Sequence, residues 1–306
     1  MNVGKTKGIF LGKWKSRSDH PFGISWVKST KLLGSKVGNF LTEDDIWGTT
    51  YTKFQRCLHK FKHRTLSLKG KSYVLNLLAS SKLWYIGSFT LMPKHYLTQF
   101  QRAIFRFFWM SKSEHLNRNT MYLPYKNGGQ NIVNIQRKLQ AFTLKHMQAL
   151  VKGSKAKWTY FAIYWVGLYL RHHNPAFASL RIPHSEFIPP FYRGCLATFN
   201  TFVSKEKKYT IGTLSVKQFY SCISSFVVHF PPVVSKHPHI NYAYIWQELQ
   251  NKQIDPFTRD VSWKIAHEII PVQQVLYHRK ITRYLICHLC PGLESIEHLF
   301  HTCPLV

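Results

Sequence analysis

Two cysteines and a histidine–cysteine pair near the end of the chain leave that segment little choice of fold. Cys287 and Cys290 are separated by two residues, His298 follows after seven, and Cys303 after four more, giving C-x2-C-x7-H-x4-C. Two cysteines at that spacing grip one ion from a tight turn. Pro291-Gly292 then reverses the chain, and His298 and Cys303 return from a helical turn. Four soft or borderline ligands in a tetrahedral array suit Zn²⁺. All four positions are filled by protein, with no place for a reactive water, so the zinc is expected to be structural. A short segment with few apolar residues cannot build a core alone. A structural zinc supplies on the order of 10 kcal/mol in finger-like peptides. His301 is an alternative ligand to the preferred His298. His288 and His301 are otherwise expected on the surface or facing phosphate. Cys57, Cys195 and Cys222 are scattered, a usage that suits reduced thiols and a cytosolic or nuclear protein.

Charge restricts the partners. Lys and Arg number 42 against 13 Asp and Glu, a formal net charge of +29. Such an excess repels itself unless a polyanion compensates it. Nucleic acid ranks first, because neutralised phosphates release condensed counterions. An anionic membrane surface ranks second, but no segment reads as a membrane span. The longest apolar run, Tyr160 to Leu170, is too short and reads as a buried helix. The first ten residues lack the apolar stretch of a signal peptide.

The rest of the sequence reads as mainly helical. With 306 residues, 45% of them hydrophobic and 15% aromatic, it can bury one large core or two to three modest ones. Residues 1–40 alternate short apolar pieces with glycine and suggest short strands in a β-hairpin region. A helix opens at Thr42, where Asp45 can reach back in a variant of the capping box. Trp47, Tyr51, Phe54, Leu58 and Phe61 form one buried stripe along it. Lys53, Arg56, Lys60 and Arg64 recur on the opposite face. A second helix, about 69–88, is expected to turn Val74, Leu77, Leu78, Ser81, Trp84 and Tyr85 inward. Pro93 can open a third, with Leu97, Phe100, Ile104, Phe107 and Phe108 repeating the pattern. Further helices are expected near 133–152, 156–171, 214–229, 240–250, 259–269 and 272–280. Pro-punctuated stretches stand at 183–194 and 231–239, and Asn127-Gly128-Gly129 is a turn signal.

These residues carry a resemblance. The tail, with Cys287, Cys290, Glu294-Ser295, His298-Leu299-Phe300 and Cys303-Pro304, resembles the zinc-binding tail of non-LTR (long interspersed element) retrotransposon reverse transcriptases. Trp263-Lys264-Ile265, His267 and Pro271-Val272 resemble the tryptophan-led helix before that module. Ser215 to Tyr220 is similar to a further family segment. Asn2-Val3-Gly4-Lys5-Thr6 resembles the element closing the polymerase palm, and Leu33-Gly34 the primer-grip hairpin. Leu66 to Lys71 and Asn127 to Gly129 look like landmarks of the thumb and post-thumb region. The order is collinear over nearly the whole chain.

The resemblance implies a division into a palm remnant and hairpin (1–40), a helical thumb-like region (41–111), a helical post-thumb region (112–182), a connecting region (183–239) and a helical segment with the zinc knuckle (240–306). It implies that the metal-holding Asp pair lies upstream of the palm element. The chain by itself is therefore expected not to be an enzyme, and its parent is expected to be an RNA-directed DNA polymerase. Asp44-Asp45 sits at a helix entry and reads as capping, and Lys5 matches a position proposed to aid pyrophosphate departure. The expected activity is nucleic-acid binding, with RNA or an RNA–DNA duplex as partner, no membrane, and the polymerase palm and fingers as a further partner. Lys53, Arg56, Lys60 and Arg64 would track phosphates, extended by Lys69 and Lys71. Around the knuckle, Arg279, Lys280, Arg283 and His288 would grip RNA with Tyr284 as a stacking surface. The alternatives are a full polymerase whose gene has been read short, and a host-recruited basic structural or interaction protein.

Overall fold

The computed structural model describes residues 3–39, 41–174, 177, 188–205 and 214–305. Asn2 and residues 183–187 of the first Pro-punctuated stretch lie outside the described residues. Two compact units are built from interleaved segments. Met1–Lys60, Leu78–Ala103 and Ile135–Phe226 form the first; Phe61–Leu77, Ile104–Asn134 and Val227–Val306 form the second.

The first unit opens with two small strand pairs. β1 (Lys7–Gly8) runs parallel to β2 (Ser25–Trp26), and Phe10 stacks on Trp26 with ring centroids 3.9 Å apart. β3 (Ser29–Leu32) and β4 (Ser35–Gly38) form an antiparallel hairpin with Leu32 opposite Ser35. Leu33 and Gly34 make its two-residue turn, with φ of +47° and +89°. Positive φ at both turn positions matches the twist of the strands it joins.

The first helix is entered as the sequence expects. Thr42 donates its backbone N–H and its hydroxyl to the Asp45 carboxylate at 3.0 and 2.9 Å, and the Asp45 amide donates to Thr42 Oγ1 at 3.2 Å. The Lys36 ammonium and those Thr42 groups hold the Asp45 carboxyl down at about 2. Asp44 accepts from the Tyr96 hydroxyl. The helix entry thus engages Asp45, whereas Asp44 is engaged by Tyr96 and makes no capping bond. A π turn over Asp44–Gly48 leads into α1 (Thr49–Phe61). Trp47, Phe54 and Leu58 are buried, and Tyr51 and Phe54 set their edges on the Phe100 ring at 5.1 Å each.

The second expected helix is α2 (Leu68–Tyr73), a π turn over Val74–Ala79, and α3 (Ser81–Gly87). Its inward face differs from the expected one. Leu75, Ala79, Leu83 and Ile86 are buried with Val74, while Leu77, Leu78, Ser81 and Tyr85 are exposed and Trp84 is half-buried. The segment carries apolar residues on two faces, so periodicity alone does not choose between them. The face with small residues wins because it permits close approach. A Cβ on Gly87 would stand 2.2 Å from Leu139 Cδ2. α4 (Lys94–Trp109) buries Phe100, Ile104, Phe107 and Phe108 as its spacing predicts, while Leu97 of the same expected face is half-buried. The short α5 (Arg118–Tyr122) follows.

The core of the first unit lies among α6 (Ile135–Val151), α7 (Lys157–Val166), α8 (Pro190–Lys205) and α9 (Val216–Ser225). Leu144, Met147, Ala162, Val166, Phe199 and Phe219 are nearly or fully closed to solvent there. Ser215 and Gln218 form a reciprocal capping box at the start of α9. The run from Tyr160 to Leu170 is not buried all round. Ala162, Val166 and Leu170 face the core, whereas Tyr160 is 68% and Phe161 71% exposed. The run is apolar on every face, and packing covers only one of them. Among the described residues no helix is long and apolar enough to cross a membrane.

In the second unit, α10 (Pro232–Lys236), α11 (Tyr242–Glu248), α12 (Pro256–Ala266) and α13 (Gln273–His278) follow in order. α12 begins three residues before the expected 259. Asp255 caps the amides of Phe257 and Thr258 at 2.8 and 3.1 Å, and Pro256 takes the first helical position, which needs no amide hydrogen. α12 is the spine of this unit. Its Asp260 accepts from the Leu68 amide at 2.7 Å, and its Trp263 indole donates to the Gly128 carbonyl at 2.9 Å.

Candidate metal centre

The chain before the knuckle is held by a short antiparallel bridge. Ile286 pairs with Leu293, the Cys287 amide donates to the Gly292 carbonyl at 2.8 Å, and the Glu294 amide donates to the Leu285 carbonyl at 2.8 Å. This hairpin puts Cys287 at the end of its first arm and Cys290 within its bend. Gly292 is required by what it faces: a Cβ there would stand 2.9 Å from His298 Cε1. The returning strand then enters a π turn over His298–Thr302. Ser295 caps this turn by accepting from the His298 amide at 2.9 Å, and the Cys303 amide closes it on the His298 carbonyl at 2.8 Å.

Those local devices bring Cys287, Cys290, His298 and Cys303 together, with one donor atom of each within 4.8 Å of every other. A tetrahedral zinc with Zn–S bonds of about 2.3 Å places its sulfurs about 3.8 Å apart. Cys290 and Cys303 Sγ stand at 3.9 Å. His298 turns Nε2 into the cluster, 3.1 Å from Cys290 Sγ. The Leu289 amide donates to Cys287 Sγ at 3.4 Å and draws that thiol down to about 7 against the opposing effect of desolvation. At Cys287, amide donation and the lowered thiol favour the thiolate, the form that binds metal. Donor types, separations and backbone support all fit a closed zinc site. His301 is exposed and outside the cluster, so His298 is the histidine that the fold selects. His288 is exposed and meets the Gln273 side-chain amide at 2.5 Å.

One further residue supports the knuckle without any signal in the spacing of the sequence. Glu294 is buried, and its carboxylate accepts from the Gln273 amide at 2.9 Å and the His288 amide at 3.4 Å. It satisfies the first turn of α13 and ties that helix to the knuckle. Glu294 stood in the quoted Glu-Ser landmark, but a lone carboxylate in sequence carries no sign of which amide it will meet.

The basic residues singled out in the sequence fall into distinct settings. Lys53, Arg56 and Lys60 are exposed on α1, and among the described residues no carboxylate pairs with them. The Arg64 guanidinium lies 5.2 Å from the Phe61 ring centroid and the Lys69 ammonium 5.3 Å from that of Tyr125. Lys71 turns inward: its ammonium donates to the Phe108 carbonyl at 3.0 Å, and desolvation together with nearby Lys264 lowers its pKa. Arg279 is also engaged, reaching His115 Nδ1 at 2.6 Å and the His115 carbonyl at 3.2 Å. Lys280, Arg283 and Tyr284 are exposed beside the knuckle.

Residues 220–306 match the family described as zinc-binding in reverse transcriptase. The chain is also similar to the transposon TX1 uncharacterized 149 kDa protein of Xenopus laevis, at 27% identity over 157 residues. That match covers 48% of this chain and 12% of the relative, so the chain spans only a small part of the relative's length. Both findings support the resemblance to the C-terminal portion of a non-LTR retrotransposon reverse transcriptase.

Proposed function

We propose that this chain is a nucleic-acid-holding, non-catalytic portion of an RNA-directed DNA polymerase, its tail organised by a structural zinc. The observation that carries the reading is the four-ligand cluster of Cys287, Cys290, His298 and Cys303 inside the segment matched to the reverse-transcriptase zinc-binding family. Every zinc position is taken by a side chain, so the ion organises the tail and activates no water.

Binding itself is assigned to the surface. Lys53, Arg56 and Lys60 recur along one exposed face of α1, and no carboxylate from Ile46 to Ser113 interrupts the sequence around them. A face of this kind follows a phosphate backbone without reading bases. Lys280, Arg283 and Tyr284 supply a second set of cations and a ring beside the knuckle. RNA or an RNA–DNA duplex is the partner that this chemistry suits. Asp45 is taken up in capping and Asp44 accepts from the Tyr96 hydroxyl, which supports a role in holding the template–primer over one in phosphoryl transfer.

Titrating binding against salt tests the proposal. With four to six phosphate contacts, log K should fall against log salt with a slope of about −3 to −5. Replacing Lys53, Arg56 and Lys60 together by Ala should flatten the slope by about 2 to 3. Affinity independent of salt would remove the reading.

A further inference from the structure

α7 has two apolar faces and the fold uses one. Ala162 and Val166 enter the core, and Thr159 is buried with them. On the other side Lys157, Tyr160, Phe161 and Tyr164 recur at the spacing of a single helix face, and all four are exposed. Tyr160 and Phe161 are more than two-thirds open to solvent. Lys152 and Lys155, exposed in the preceding turn, flank the same end of the helix. Among the described residues no carboxylate pairs with any of these lysines. The sequence from His115 to Ser185 contains no Asp or Glu.

We infer that this face of α7 is a stacking platform for unpaired nucleotides, distinct from the phosphate-tracking face of α1. Charge and residue type select the occupant together. An acid-free, lysine-flanked surface attracts a polyanion. Rings standing open to solvent offer π-faces to bases, and aromatic stacking tolerates any base. Tyr160 and Tyr164 are about 6 Å apart along the helix axis, at 1.5 Å per residue. That exceeds the 3.4 Å step of a stacked strand. The platform therefore takes splayed bases, and a duplex, whose base faces are covered, gains only the lysines. The inference extends the proposed nucleic-acid binding and adds a strand preference that phosphate tracking alone does not produce.

The test uses the full chain, a fluorescein-labelled oligouridylate and an RNA duplex of equal length. Tyr160→Ala with Phe161→Ala should weaken oligouridylate binding about tenfold or more and leave duplex binding unchanged. Tyr160→Phe with Phe161→Tyr, which keeps both rings, should bind like the parent. Equal oligouridylate affinity in the Ala variant would overturn the inference, even if its duplex binding still showed the salt slope of a phosphate-tracking surface. Loss of a concentration-dependent self-association in the Ala variant, with oligouridylate binding intact, would assign the face to a second copy of the chain and also overturn it. Loss of salt-dependent duplex binding by the parent would instead count against the broader proposal.

Discussion

Trp263 on α12 donates its indole N–H to the carbonyl oxygen of Gly128 at 2.9 Å, across 135 residues of sequence. His267, one turn along, reaches the same oxygen through Nε2 at 2.7 Å and stacks on Trp246 with centroids 4.7 Å apart. Gly128 itself has φ +82°, and a Cβ there would meet Trp246 Cε2 at 2.7 Å. The turn and the helix are thus fitted to each other through one carbonyl and one missing side chain.

Gly128→Ala is expected to destabilise the protein by about 2 kcal/mol or more, because strain at positive φ adds to overlap with an indole. Trp263→Phe should cost about 1 kcal/mol from the lost hydrogen bond, since His267 still satisfies the carbonyl. Denaturant midpoints measure both. A neutral Gly128→Ala would refute the fit.

Burial pushes the His267 imidazole down to about 4 from 6.5. The unfolded chain therefore takes up this proton first, so acid favours unfolding. The stabilisation is whole above about 6.5, declines as pH falls, and is gone below about 4. The full effect is about 3 kcal/mol. His267→Gln keeps a donor for Gly128 without the titration. The stability difference between parent and variant should shrink by that amount from pH 7 to pH 4. A difference constant with pH would contradict the buried neutral imidazole.

Much of this was legible in the sequence where local chemistry decides the outcome. Thr42 and Asp45 form their capping box, and Trp47, Phe54 and Leu58 of the expected stripe are buried with Tyr51 and Phe61 half-buried, because spacing along one segment decides each; spacing left His298 and His301 open, and it is His298 that joins the cysteine cluster. The inward face of the segment around Leu75 and Leu83 was not legible. Its choice depends on how closely Gly87 approaches Leu139 from another helix. Trp263 and Gly128 each stand out in the sequence, but their partnership does not, because no periodicity links residues so far apart. Glu294 is silent in the sequence for the same reason: its function lies in the Gln273 amide.

Leu33 occupies the first turn position of the β3–β4 hairpin with φ +47°, a region that a leucine side chain disfavours. The Tyr85 hydroxyl donates to its carbonyl at 2.5 Å and holds the turn. Leu33→Asn should raise stability by up to about 1 kcal/mol, since Asn-Gly is favoured in such turns. Unchanged or lowered stability would mean that the exposed leucine is engaged elsewhere.

Removing the Glu294 carboxylate leaves the Gln273 and His288 amides without an acceptor. Glu294→Ala is expected to cost about 1 to 3 kcal/mol and to expose the tail to proteolysis, with Glu294→Gln intermediate. Limited proteolysis followed by mass spectrometry locates the cut. Parent-like resistance in the Ala variant would show that the carboxylate is dispensable.

The most direct measurement is zinc per chain by elemental mass spectrometry on this chain and four single variants. One zinc per chain is expected in the parent and in His301→Ala and His288→Ala, with the metal lost in Cys290→Ser and His298→Ala. A parent without stoichiometric zinc, or metal retained by His298→Ala and lost by His301→Ala, would contradict a knuckle closed by Cys287, Cys290, His298 and Cys303.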